Sequence, residues 1–146
     1  SKSAGELKAI IADAEVPFIL KGIMTVKGAL KAKEAGAAAI VVSNHGGRVL
    51  DQCPPTAEVL EEIADAVGSD MKIFVDGGIR SGVDVFKALA LGADAVLIGR
   101  PYVTAVYGGA AEGVKALTDK LAAELADTMA MCGAHSLGEI TRDMVR

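Results

Sequence analysis

Aromatic residues are scarce in this chain of 146 residues: they make up 3% of it, and tryptophan is absent. Hydrophobic residues still account for 51% of the chain, so its core has to be built mainly from alanine, valine, isoleucine and leucine. Aliphatic cores of this kind are typical of parallel β-sheets that are covered by helices. Together, the length and the apolar content predict one domain that spans residues 1–146.

Other absences exclude whole classes of protein. The two cysteines, Cys53 and Cys132, have a spacing that fits neither a disulfide framework nor a metal-binding motif. A formal net charge of −4 disfavours binding to a nucleic-acid backbone. No apolar run approaches the roughly 20 residues of a membrane span, and no stretch has the pattern of a secretory signal. We therefore expect a cytoplasmic α/β protein without a metal site.

Strand and helix patterns alternate along the chain. Short apolar runs predict strands over residues 17–21, 38–43, 72–76 and 95–99. Amphipathic segments predict helices over residues 3–14, 25–35, 56–67, 83–91 and 110–131, with a loop over residues 44–55. Ser81 with Asp84, and Ser136 with Glu139, have the spacing of capping boxes, and the second predicts a final short helix.

Four consecutive strand–helix units favour an arc of a (β/α)₈ barrel over a doubly wound sheet. An internal repeat supports this prediction, because residues 35–43 resemble residues 91–99, two units further along. A closed barrel of this type needs about 250 residues. The predicted fold is therefore an α/β half of a TIM-type barrel, followed by C-terminal helices.

Titratable side chains stand at the ends of three predicted strands. Lys21 ends the first strand, Asp76 ends the third, and His45 and Arg48 lie on a glycine-rich loop after the second. The carboxyl ends of parallel strands share one edge of the sheet, where such folds hold their active sites. An imidazole is suited to accept a proton near neutral pH, so His45 is a candidate general base.

Two of these cations have alternative interpretations. The guanidinium of Arg48 matches a carboxylate in shape and is a candidate for holding an acidic substrate; the alternative is a surface salt bridge to Asp51. Lys21 follows apolar residues, and burying an unpaired ammonium is costly. We expect it to face either a ligand or an acid inside the barrel.

The sequence resembles the FMN-dependent α-hydroxy-acid oxidases and dehydrogenases, the family of glycolate oxidase and lactate oxidase. The resemblance covers essentially the whole chain and is carried by five motifs, at residues 20–22, 43–51, 76–80, 84–93 and 98–101. The glycine-rich motifs also occur in other phosphate-binding barrels, such as IMP dehydrogenase. The Ser-Asn-His-Gly-Gly-Arg loop at residues 43–48 is much more specific.

The resemblance implies FMN as cofactor and the oxidation of a small 2-hydroxy acid to a 2-oxo acid. It implies that His45 is the catalytic base, that His45 and Arg48 bind the substrate, and that Lys21 and Ser43 contact the flavin ring. Asp76 would hold a ribityl hydroxyl, since a carboxylate repels phosphate. The flavin phosphate is expected among the remaining residues of these motifs, Gly77, Gly78, Arg80, Gly99 and Arg100.

The sequence corresponds only to strands five to eight of the family's barrel and its closing helix. The matching pattern lacks a tyrosine pair, a second arginine and the aspartate that orients the histidine, and neither Tyr102 nor Tyr107 takes the place of those tyrosines. We therefore expect the isolated chain to be a poor catalyst. Open sheet edges predict self-association or association with an N-terminal half-barrel.

Two alternative functions stay open at this stage. The chain could be a half-barrel fragment that is inactive alone and binds flavin or phosphate weakly. It could also belong to a non-redox barrel enzyme with a phosphate ligand, such as a relative of the type 2 isopentenyl-diphosphate isomerase. That group would not be expected to carry His45 and Arg48 in this loop.

Overall fold

Consecutive strands lie side by side in one parallel sheet. The computed structural model describes residues 2–145. Its strands are β1 (Ile19–Ile23), β2 (Ala39–Val42), β3 (Lys72–Asp76) and β4 (Ala95–Leu97). Its α-helices are α1 (Ala4–Ala12), α2 (Val26–Ala35), α3 (Thr56–Val67), α4 (Gly82–Ala90) and α5 (Arg100–Cys132). Short 3₁₀ turns cover His45–Gly47, Leu137–Glu139 and Arg142–Val145. The strand order β1-β2-β3-β4 confirms the predicted series of strand–helix units.

Local signals in the sequence begin and end the helices. The hydroxyl of Thr25 accepts a hydrogen bond from the amide of Gly28 in the first turn of α2. Ser81 and Asp84 form the predicted capping box of α4. Gly36 ends α2 with a φ of 93°, a left-handed conformation that glycine adopts without steric cost.

The hydrophobic core lies between the sheet and its helices. Ile40 and Val42 of β2 and Ile73 and Val75 of β3 are at most 2% exposed. They pack with apolar side chains of α2 and α3, namely Ala29, Ala32, Leu60, Ile63 and Val67. All four residues of β2 are buried, as expected for an inner strand of a parallel sheet.

The other face of the sheet carries the charged groups. Side chains alternate between the two faces along a strand, and the register aligns Lys21 with Val41 and Phe74. Asp76 lies two residues beyond Phe74 and therefore belongs to the same face. This face is apolar along its middle and charged at the carboxyl ends of the strands.

The sheet is an open arc. Within residues 2–145, β1 and β4 each have a single neighbouring strand. Ile19 of β1 is 48% exposed and Leu97 of β4 is 38% exposed. Both outer strands therefore present backbone hydrogen-bonding groups and apolar side chains to the surroundings.

α5 consists of two helical parts, and the first of them, which begins at Arg100, was not predicted. Pro101 stands in the first turn, where its fixed φ suits a helix. The backbone is not helical at Gly109 and Ala110, and the chain reverses there, since the hydroxyl of Tyr102 lies 2.9 Å from that of Thr118. The predicted helix over residues 110–131 corresponds to the part of α5 after this break. Leu121, in the part of α5 after the break, is buried against the body of the protein. Neither α5 nor another helix in residues 2–145 is long and apolar enough to cross a membrane.

Other predicted boundaries agree to within two residues, apart from the following two elements. β1 runs from Ile19 to Ile23 rather than over residues 17–21, because Gly22 allows the strand to continue through an irregularity with a φ of 94°. The segment after Ser136 forms a 3₁₀ turn rather than an α-helix. The Ser136 side chain accepts no hydrogen bond from the backbone amides of this turn. Its hydroxyl instead donates to the carboxylate of Glu139.

Candidate active site

The carboxyl ends of the strands open into a cleft of about 570 Å³. Every site residue predicted from the sequence, except Ser43, lines this cleft. The cationic side chains on its wall are Lys21, Arg48, Arg80 and Arg100, and Asp76 is the carboxylate among them. The cleft is thus rich in positive charge although the chain carries a net charge of −4, which suits an anionic ligand.

Lys21 is held by two oxygen acceptors at the base of the cleft. Its Nζ lies 2.8 Å from Oδ2 of Asp76 and 2.7 Å from Oγ of Ser43. The backbone irregularity at Gly22 follows directly, as is common where a strand directs a side chain into a site. Both expected environments of Lys21 are present, because it pairs with an acid and also lines the cleft.

One carboxylate oxygen of Asp76 has no protein partner. Oδ2 pairs with Lys21, whereas Oδ1 is buried and accepts no hydrogen bond from any part of the described chain. A buried acceptor without a donor is costly, so this atom calls for a hydrogen-bond donor from a ligand or from water. A ligand hydroxyl would satisfy it.

Ser43 lies beneath the cleft rather than on its wall. It is 1% exposed, and its Oγ accepts hydrogen bonds from Lys21 Nζ at 2.7 Å and from the backbone amide of His45 at 3.1 Å. The hydroxyl therefore joins a side chain of β1 to the loop that follows β2.

The loop that carries His45 has an unusual backbone. His45, Gly46 and Gly47 have φ values of 57°, 63° and 72°, so three successive residues are left-handed. That conformation costs a residue with a side chain roughly 1–2 kcal/mol, which the surrounding contacts have to offset. One such contact is the hydrogen bond from Nδ2 of Asn44 to the carbonyl of Pro54, 3.2 Å long, which closes the base of the loop.

Arg48 and Arg100 approach the histidine loop from different elements. Arg48 lines the cleft and forms no salt bridge with Asp51 in the described chain, so the alternative surface pair is not formed. A Cβ placed on Gly46 would lie 3.2 Å from Nη2 of Arg100. The guanidinium at the start of α5 therefore packs directly on the backbone of the histidine loop.

The loop after β3 forms the other end of the cleft. Gly77 and Gly78 have φ values of 96° and 80°. A Cβ placed on Gly78 would meet no heavy atom within 4 Å, so a ligand can approach its backbone. Arg80 follows on this loop, and Arg100 stands at the N-terminus of α5. Positive side chains next to a helix N-terminus form an environment that suits a phosphate group.

Asp84 fixes the loop that presents Arg80. Its Oδ2 accepts hydrogen bonds from the amides of Arg80 and Ser81, both 3.0 Å long, and from the hydroxyl of Ser81 at 2.9 Å. Burial tends to raise the pKa of Asp84, but these hydrogen bonds and nearby Lys87 outweigh it, so the pKa lies below the ordinary value of 3.8.

Two supporting residues were missed by the sequence reasoning. The hydroxyl of Thr56 is buried and donates to the carbonyl of Asp76 at 2.7 Å. A Cβ on Gly77 would lie 3.2 Å from the same hydroxyl. Asn44 is the second, because its side-chain amide donates to the carbonyl of Pro54 and so closes the base of the histidine loop. Thr56 directly follows Pro54 and Pro55, and its position resembled an ordinary helix start, so no signal in the sequence linked it to the third strand.

The fold and the cleft together define a parallel half-barrel with a histidine, a carboxylate and several cationic side chains at the carboxyl edge of its sheet. The model of the FMN-dependent dehydrogenase family matches residues 1–146, and the chain belongs to that family. FMN is the cofactor after which the family is named.

Curated relatives are similar over most of the chain. It is 51% identical over 132 residues to a peroxisomal (S)-2-hydroxyacid oxidase of Arabidopsis thaliana, covering 90% of this chain and 36% of that protein. It is 48% identical over 136 residues to 4-hydroxymandelate oxidase of Amycolatopsis orientalis, covering 93% and 38%. For L-lactate oxidase of Roseobacter sp. the identity is 45% over 143 residues, covering 98% and 39%. The chain thus spans little more than a third of the length of these relatives.

A solved structure confirms the predicted fold class. The crystal structure of mandelate oxidase with benzoyl-formic acid superposes with a TM-score of 0.92 at 47% identity, and the match covers 97% of this chain and 42% of that one. A second structure is of a mandelate oxidase variant with a monooxide FMN adduct, at the same TM-score. The architecture is therefore one half of a TIM-barrel flavoenzyme.

Proposed function

We propose that this chain forms the C-terminal half of an enzyme that uses FMN to oxidise a small 2-hydroxy acid to the 2-oxo acid. The observation that carries the proposal is the convergence of Lys21, His45, Arg48 and Asp76 on one cleft. Relatives named as oxidases of 2-hydroxy acids support the reaction class. Because the chain spans about a third of their length, the activity of the whole protein is part of the proposal.

The residues present fit FMN. The buried, unpartnered Oδ1 of Asp76 matches a ribityl hydroxyl, and its neighbouring oxygen is already neutralised by Lys21. Lys21, supported by Ser43, would face the polar edge of the flavin ring, and an ammonium there stabilises negative charge on the reduced ring. The phosphate would lie at the glycine- and arginine-rich end, among Gly77, Gly78, Arg80, Gly99 and Arg100. When bound, FMN supplies the ring that takes up the electrons of the substrate.

His45 and Arg48 would act on the substrate. The guanidinium of Arg48 would hold the carboxylate of the hydroxy acid. The imidazole of His45 would remove a proton from the α-carbon or the hydroxyl of the same substrate. In the described chain the imidazole makes no hydrogen bond, so both ring nitrogens are available. One nitrogen would face the substrate, and the other would form a hydrogen bond with an orienting residue of the N-terminal half of the barrel.

A second candidate function is that of a half-barrel that binds FMN weakly and is inactive until its sheet is completed. The open edges at Ile19 and Leu97 favour this state for the isolated chain. We therefore propose association through these edges, with an N-terminal half-barrel or a second copy. Light scattering of the purified chain tests the association of two copies, and a monodisperse monomer at high concentration would contradict it.

The compartment is also part of the proposal. We propose a cytoplasmic location, as the composition predicts, whereas a relative from Arabidopsis thaliana is named as peroxisomal. Localising the full-length protein with a fluorescent tag distinguishes the two, and import into peroxisomes would contradict the proposal.

The cofactor site is tested by titrating FMN and riboflavin into the purified chain and following the quenching of flavin fluorescence. FMN should bind more tightly than riboflavin, because only FMN carries the phosphate. Arg80→Gln and Arg100→Gln should each bring the affinity for FMN towards that for riboflavin, whereas Lys115→Gln, on the exposed face of α5, should leave it unchanged. Equal binding of both flavins by the unmodified chain would contradict the proposed phosphate site.

Catalysis is tested in a chimaera that joins the N-terminal part of 4-hydroxymandelate oxidase from Amycolatopsis orientalis to this chain. The two proteins are 48% identical over 136 residues, so this chain should replace the matching segment of that enzyme. The chimaera should oxidise a 2-hydroxy acid, and loss of activity in a folded, FMN-loaded chimaera would count against the assignment of this chain.

A further inference from the structure

A single buried hydroxyl connects the cofactor side of the cleft with the histidine loop. Ser43 is 1% exposed at the end of β2. Its Oγ lies 2.7 Å from Nζ of Lys21, on the neighbouring strand, and 3.1 Å from the backbone nitrogen of His45, two residues along the chain. One oxygen atom thus holds groups from two separate elements.

These two bonds use the full acceptor capacity of the hydroxyl. A serine oxygen has two lone pairs, and here one faces an ammonium and the other a backbone amide. The bond from Lys21 is charge-assisted and therefore the stronger of the two. Because both donors share one atom, a displacement of either changes the position or the polarisation of the acceptor of the other.

The bond to His45 supports a backbone that would otherwise be unfavourable. His45 has a φ of 57°, and its side chain is exposed, so packing does little to fix it. The hydrogen bond from the His45 amide to the Ser43 hydroxyl is the nearest fixed point, because Ser43 is buried at the end of β2 next to Val42. The direction of the imidazole therefore depends on a hydroxyl that does not touch it.

We propose that Ser43 is a positioning residue that couples the placement of the Lys21 ammonium to that of the His45 imidazole. It does so from beneath the cleft, without contact with the substrate. The catalytic meaning of this coupling rests on the proposed function, whereas the coupling itself concerns the chain without FMN. An alanine at this position would fill the same space and hold neither group.

The first test is amide hydrogen exchange of the FMN-free chain, followed by NMR. Loss of one hydrogen bond changes local opening by about tenfold, so Ser43→Ala should raise the exchange rate of the His45 amide by about that factor. The amides of Ile40 and Ile73 should be unaffected, and Ser43→Thr, which keeps the hydroxyl, should restore protection. An unchanged rate at His45, or an equal rise at all three amides, would refute a positioning role.

A second measurement does not depend on the stability of the serine variants. Lys21→Met removes one donor and leaves Ser43 in place, so the His45 amide resonance should shift because its acceptor changes. Lys72→Met is the matched control, since Lys72 pairs with Asp94 at the opposite end of the sheet. If both variants leave the His45 resonance where it was, the two groups are not coupled.

In the chimaera, Ser43→Ala should lower kcat about tenfold while KM for the hydroxy acid stays within about twofold, as expected for one lost hydrogen bond that positions the base. An unchanged kcat in an active chimaera would overturn the inference and leave the proposed function intact. Coupling seen by NMR, together with a folded chimaera that fails to bind FMN, would overturn the proposed function and leave the inference intact.

Discussion

Lys21 and Asp76 form a 2.8 Å ion pair across the sheet, although the strand β2 lies between them. The pair is possible because both side chains belong to the face opposite the helices and both stand near the carboxyl ends of their strands. It neutralises Asp76 at Oδ2 and leaves the buried Oδ1 without a partner in the described chain. The same contact therefore positions a cation and prepares an acceptor for a hydroxyl-bearing ligand.

Replacing Lys21 by methionine should weaken FMN binding more than it weakens the fold. The Lys21 side chain is 44% exposed, so its ion pair should contribute only about 1 kcal/mol or less to the free energy of unfolding. A charge-assisted contact to the cofactor contributes somewhat more, so the Kd of FMN should rise about tenfold. Urea denaturation and fluorescence titration measure the two effects, with Lys72→Met as the control. A large loss of stability without loss of affinity would show that Lys21 is purely structural.

Acid should destabilise the protein through Asp84. Its pKa in the folded chain is below the ordinary value of 3.8, so the unfolded state binds the proton more readily. The stabilisation by Asp84 is therefore complete above pH 3.8 and is lost as the pH falls through the lower, folded value. Urea midpoints of the wild type should fall over this range, and those of Asp84→Asn should fall less. Parallel decreases in both proteins would exclude Asp84 as the source.

A methyl group at Gly46 should disturb the phosphate end of the cleft. Gly46 has a φ of 63°, and a Cβ there would lie 3.2 Å from the guanidinium of Arg100. Gly46→Ala should therefore cost about 1–2 kcal/mol of folding free energy and displace Arg100, raising the Kd of FMN. Gly138→Ala is the control, because Gly138 has open space around it and no positive φ. An unchanged Kd would mean that Arg100 does not contribute to binding from this position.

Gly82 should be essential for the contact between α4 and α5. A Cβ at this glycine would lie 2.2 Å from the backbone nitrogen of Leu125, so the helices would have to separate. Gly82→Ala should lower the free energy of unfolding by roughly 1–3 kcal/mol. The change Gly5→Ala in the exposed helix α1 should instead stabilise by about 0.5–1 kcal/mol, because glycine is the poorer helix former. Thermal unfolding of both variants measures this difference in sign.

Much of the fold follows from patterns in the sequence. Apolar runs and cap residues place α3 and β3 at the predicted boundaries, and Ser81 forms its predicted capping box. The helical segment that begins at Arg100 was not predicted, whereas the helix after the break at Gly109 and Ala110 was. Pro101 suits the start of that segment, but its packing against the later part of α5, seen in the contact of Tyr102 with Thr118, is not visible in a periodic pattern.

The members of the candidate site were predictable, but their mutual contacts were not. Strand-end positions and the glycine-rich loop indicated His45 and Lys21, because parallel strands end at a common edge. The role of Thr56, which donates to the carbonyl of Asp76, depends on a contact between residues 20 positions apart. Such contacts are set by tertiary packing, so a single sequence gives no local sign of them.

Anaerobic reduction of the flavin in the chimaera shows whether His45 is the catalytic base. Addition of mandelate should bleach the flavin absorbance of the unmodified chimaera and of His135→Ala, whose histidine lies outside the cleft. The chimaera with His45→Ala should keep its yellow colour and stay unbleached, because it binds FMN but has no base for the substrate. Bleaching of the His45→Ala chimaera at the rate of the unmodified chimaera would show that His45 is not the catalytic base.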